Sequence, residues 1–124
     1  ACRDKNDMVI LSATDGHIIA DLPIGKGCDG AVFNPATMET FSTQGDGTLT
    51  VIKEDSPTSF HVEQTVTTPV GAKCITLDTK TNHLYTDAAE YGPAPTAAPD
   101  APAGGYRRRG PVVPGSFSII VVGK

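Results

Sequence analysis

The chain has no tryptophan, few aromatics at 6%, only three cysteines, and little leucine, five residues in 124. It also lacks any apolar run near the roughly 20 residues that a membrane-spanning helix needs, and it opens on ACRDKND, which is charged rather than signal-like. The composition therefore reads as one soluble domain without a membrane segment. Cys2, Cys28 and Cys74 are an odd set without CxxC spacing, so neither a disulfide framework nor a zinc site is signalled. Ten Lys and Arg against 14 Asp and Glu leave a net charge of −4. That balance argues against general attraction to nucleic acid or to anionic membranes.

What the sequence does contain is β-branched side chain and turn residue. Val, Ile and Thr total 33, and these suit pleated sheets better than helices. Thirteen glycines and ten prolines punctuate the chain too often for long helices but suit short strands joined by turns. The expectation is an all-β protein.

The chain also repeats, with a period of 44. Residues 27–40, GCDGAVFNPATMET, lie over residues 71–84, GAKCITLDTKTNHL; Gly27 matches Gly71, Phe33 matches Leu77, Thr37 matches Thr81, and Phe41 then falls on Tyr85. GTLTVI at 47–52 returns as GSFSII at 115–120, displaced by a further 24 residues that mark an insertion. NDMVIL at 6–11 lies over the same GTLTVI, and DLPIGKG at 21–27 lies over the segment ending at Gly71. A period of 40 to 50 residues is the signature of β-propeller blades and similar arrays.

Alternation within the whole unit predicts four strands: A at 30–33, B at 39–43, C at 48–53 and D at 59–66, with turns at 34–37, 45–47 and 55–57. Residues 1–25 then form a partial blade holding the end of B plus C and D. Residues 26–69 form a complete blade. Residues 70–124 hold A, B and C, interrupted by a Pro/Ala/Gly-rich insertion at 89–114. This is an incomplete propeller of about two and a half four-stranded antiparallel meanders. Because a blade buries its faces against neighbouring blades, the chain reads either as a piece of a longer propeller or as a unit whose copies associate symmetrically to cover exposed edges.

The stretches MVILSATDGHIIADLPIGKGCDG, FNPATMETFSTQGDGTLTVI and TLDTKTNHLYT resemble the YVTN-type, YncE-like seven-bladed β-propeller proteins. The likeness covers almost the whole chain outside residues 89–114. It departs at Cys28 and Cys74, where Val and Thr are expected, and half of such a ring is absent. The resemblance implies the last two to three blades of an exported or periplasmic binding scaffold, with the outer strand of the final blade supplied by the N-terminus of the full chain.

Propeller topology gathers the D-to-A and B-to-C connections on one rim. That rim is expected to carry Arg3, Lys26, Asp29, Asp46 and Lys73, together with Glu90, Tyr91, Tyr106, Arg107, Arg108 and Arg109 of the insertion. The insertion holds six of the ten prolines, a composition that favours extended or disordered chain and makes it the leading partner-contacting element. Arginine forks onto phosphate and tyrosine stacks on bases, but three arginines in an acidic chain are a weak nucleic-acid signal. His17, His61 and His83 fall on separate strands, and no Ser-His-Asp set or phosphate-cradling glycine loop is legible, since strands rather than helices follow the glycines. No metal or cofactor is implied. The leading expectation is a non-catalytic binding or scaffolding module that meets itself, missing blades, or a small ligand or protein at the rim. Alternatives are a fragment of a propeller hydrolase or lactonase-type enzyme, and a nucleic-acid contact through residues 107–109.

Overall fold

The computed structural model describes residues 1–94 and 109–123; Tyr106, Arg107 and Arg108 lie outside the described residues. The described chain is all-β, with no helix, and nine strands form three antiparallel sheets. The first sheet pairs β1 (Asp7–Leu11) with β2 (Ile18–Pro23). The second is a meander of β3 (Cys28–Asn34), β4 (Glu39–Gln44), β5 (Thr48–Ser56) and β6 (Ser59–Thr67). The third places β7 (Lys73–Asp78) beside β8 (His83–Ala88) and β8 beside β9 (Ser118–Val122). The four strands read from the central repeat thus lie where the alternation put them. At the N-terminus, the expected end of a B strand is a single bridge between Cys2 and Asp7.

Backbone geometry repeats with the sequence. Asn6, Gly47 and Gly115, which the repeat alignment superposes, all have positive φ, at 58°, 92° and 78°. Glycine reaches this left-handed region without penalty, and asparagine is the side chain that tolerates it best. A methyl group on Gly47 would also lie 3.0 Å from the Thr68 carbonyl oxygen, so the turn is closed to larger residues on two counts. Met38 and Asn82, 44 residues apart at the β3–β4 and β7–β8 turns, share φ values of 54° and 57°.

Strand pairing sets which side chains share a face. Val32, Phe41 and Val51 stand opposite one another on β3, β4 and β5, and Leu49 stands opposite Val66. That face meets Ile75, Leu77, Leu84 and Val122 of the third sheet, and the shared core is Phe41, Leu49, Val51 and Leu84. Closest approach is between β3 and β7, where a Cβ on Gly30 would stand 3.0 Å from Ile75 Cγ2. The opposite face of the second sheet carries Ser42, Gln44, Thr50 and Ile52, all buried. Gln44 is held there: its Nε2 donates to the Ser42 carbonyl and hydroxyl, and its Oε1 accepts from the Thr50 hydroxyl. The first sheet touches the second through β2 and β6, with Met8 buried and Leu11 and Ile18 left exposed.

Candidate functional site

The loops at one end of the sheets are stitched together by backbone bonds. Gly45 N–H donates to the Gly27 carbonyl at 3.0 Å, Gly71 N–H to the Gly45 carbonyl at 3.0 Å, and Thr68 N–H to the Gly47 carbonyl at 2.8 Å. The β2–β3, β4–β5 and β6–β7 connections therefore do share one end, and Ile24 N–H reaches the Asn6 carbonyl to bring in the turn that carries Arg3.

Of the candidate side chains, Asp46 is the most engaged. Its carboxylate accepts the Lys26 amide at 2.6 Å and the Thr48 hydroxyl at 2.6 Å. Loss of water pushes its pKa up, but those hydrogen bonds outweigh that effect and hold it below the usual carboxylate range. A Cβ on Gly25 would collide with the Thr48 hydroxyl and crowd the Asp46 carboxylate, so only glycine lets this loop close over the pair. Asp29 accepts the Cys74 amide at 3.2 Å, joining the second sheet to the third. Both carboxylates are committed to backbone amides, which makes them loop fasteners, while Arg3 and Lys26 stand exposed and Lys73 is half-buried.

The two ends of the insertion are zipped together. Tyr91 bridges Val112, Gly92 N–H donates to the Pro111 carbonyl at 2.8 Å, and Val113 N–H to the Glu90 carbonyl at 2.9 Å. Ser116 Oγ accepts the Glu90 amide at 3.0 Å and donates to the Val113 carbonyl. Arg109 lies over the Tyr91 ring, 4.9 Å from its centroid, a cation–π geometry. The base of this element is thus a short ladder; a composition of Pro, Ala and Gly gives no warning of it, because the bonds are main-chain.

A second feature had no signal in the sequence. A cleft of about 350 Å³ opens between the second and third sheets at the opposite end, beside the free edge of β9. Phe41, Leu49, Val51 and Leu84 line its apolar part, and Asn34, Glu39 and Asn82 its polar part. Asn34, which is buried, donates from Nδ2 to Asn82 Oδ1 at 2.9 Å and accepts the Ala36 amide, so it ties the turns of the two sheets together. The histidines serve separate turns: His17 Nδ1 meets Asp15 at 2.6 Å and His61 Nδ1 meets Asp55 at 2.7 Å. Among the described residues no group of His, Cys, Asp or Glu is arranged to hold a metal ion.

No protein-family model matches this chain, and no curated protein or solved structure does either.

Proposed function

We propose that the chain is a non-catalytic binding module made of propeller-type blades of the YVTN, YncE-like kind, and that its rim takes an anionic partner. The three sheets supply parts of three such blades. The observation that carries the reading is the division of labour on the rim: Asp29 and Asp46 are tied to backbone amides, while Arg3, Lys26, Lys73 and Arg109 sit on or beside the connections at that end. Fixed loops carrying exposed or half-buried cations favour a ligand of opposite charge. The test is titration of the isotope-labelled protein with an oligoglutamate peptide, followed by amide NMR. Expected are salt-sensitive shifts at Lys26, Lys73 and Arg109, weakened by Lys26→Ala together with Lys73→Ala. Shifts confined to Asn34, Asn82 and Leu84, or none, would move the site to the cleft or remove it. Arg109 already covers the Tyr91 ring, which counts against base stacking at that tyrosine.

A further inference from the structure

The third sheet exposes a face that is written as a core. Strand pairing puts Tyr85 opposite Thr76 and Val121, and Asp87 opposite Ile119, on the side turned away from the second sheet. By the repeat alignment, Tyr85, Phe117 and Ile119 occupy the places of Phe41, Leu49 and Val51. Those three are 8%, 0% and 6% exposed, whereas Phe117 and Ile119 are 61% and 60% exposed and Val121 is 54% exposed. Three large apolar side chains on one strand and its lead-in form a contiguous patch of the kind that marks an interaction surface.

At the other end of the stack, the first sheet exposes the complementary side. In the repeat, Leu11 falls on Ile52, which is 1% exposed, yet Leu11 and its strand partner Ile18 are 56% and 63% exposed. Within the chain, the Phe41 side of the second sheet meets the third, while the first sheet meets the second through β2 and β6, with Met8 and Ile52 both buried. We propose that a second copy of this chain continues that stacking head to tail, its Leu11–Ile18 face seated on the Tyr85–Ile119 face.

One detail selects the first sheet as the cover. On the second sheet the innermost strand approaches its neighbour at Gly30, where even a Cβ would be 3.0 Å from Ile75. The third sheet carries Cys74 at that place, so its side chain keeps a further inner strand at a distance. Among the described residues the first sheet consists of β1 and β2 alone, which in the repeat correspond to β5 and β6. It covers the outer half, where Phe117 and Ile119 lie, and leaves Cys74 room. Such a contact uses unlike patches, and so closes into a ring or runs on as an open chain of copies.

The test is molecular mass by light scattering across a wide range of concentration, on the wild-type chain and on Ile119→Arg and Leu11→Arg, both at exposed positions. Expected are concentration-dependent association of the wild type, its loss in each variant with the thermal transition kept, and a 1:1 pair when the two variants are mixed, because each retains one intact face. A wild-type monomer at every concentration would overturn the proposal. Association kept by Leu11→Arg but lost by Ile119→Arg would replace it with a pairing of two third sheets. A variant that fails to fold leaves the wild-type measurement decisive.

Discussion

At the scale of single residues, the repeat exposes a mismatch at Met38. It holds the same left-handed turn conformation as Asn82, but a methionine in that region costs roughly 1–2 kcal/mol relative to glycine, and asparagine much less. Met38 is 38% exposed, so little packing is lost on replacing it. Met38→Asn should raise stability by about 1 kcal/mol and Tm by a few degrees, read by denaturant and thermal unfolding; a loss would mean that the side chain packs more than its exposure suggests. Carboxylates give a second residue-scale expectation. Asp15, bonded by Ser12 and His17, Asp78, bonded by the Lys80 amide and the Thr81 hydroxyl, and Asp46 all have pKa values held down in the folded chain. Depressed folded values mean stability that is complete above the unfolded carboxylate pKa and disappears as pH falls through the folded ones. Melts at decreasing pH should show Tm falling below about pH 4, with a shallower fall in Asp46→Asn, whose neutral amide no longer titrates. Equal slopes in the two proteins would remove Asp46 from the account.

At the scale of elements, burial is uneven enough to order the strands by local stability. β4 and β5 are central in the four-stranded sheet and carry nearly all of the fully buried side chains, among them Leu49, Ile52, Gln44 and Thr43. The β1–β2 pair is a two-stranded ribbon with one face bare, a construction that is marginal alone. Amide hydrogen exchange should therefore be slowest in β4 and β5 and faster by orders of magnitude in β1 and β2; uniform protection across the three sheets would show that the first is held by more than its contact with β6. The same contrast explains what the sequence could tell. Alternating pairs such as Leu49/Val51 and Phe60/Val62, set between glycine and proline turns, are local signals, and the strands came out where they pointed. The fastening of Asp46 to Lys26 and of Asp29 to Cys74 joins residues 20 and 45 positions apart. Bonds to main-chain amides leave no mark on side-chain pattern, so these acids read only as rim charges.

At the scale of the molecule, burial is concentrated in the middle sheet, while the first and third sheets each leave large apolar side chains exposed. The core lies between the second and third sheets, and the cleft beside β9 exists because the third sheet stops at three strands where the second has four. Topology of this kind was legible from the period of 44 and its two incomplete copies. The position of the cleft was not, since it depends on how far two sheets diverge away from their tight contact at Gly30. The insertion is the remaining whole-molecule question, because it divides β8 from β9 in the chain. Its two ends are already joined as antiparallel strands would be, with Tyr91 opposite Val112 and Gly92 bonded to Pro111. A connection that begins and ends in register needs only a tight turn, and shortening a long loop lowers the entropy cost of closing it. Replacing residues 93–110 with Asn-Gly should therefore keep the β8–β9 pairing and the cooperative thermal transition, with Tm within a few degrees of the full chain. Loss of cooperative unfolding in that variant would show that residues between Gly92 and Pro111 hold the third sheet in place. Retention would leave them free to serve a partner.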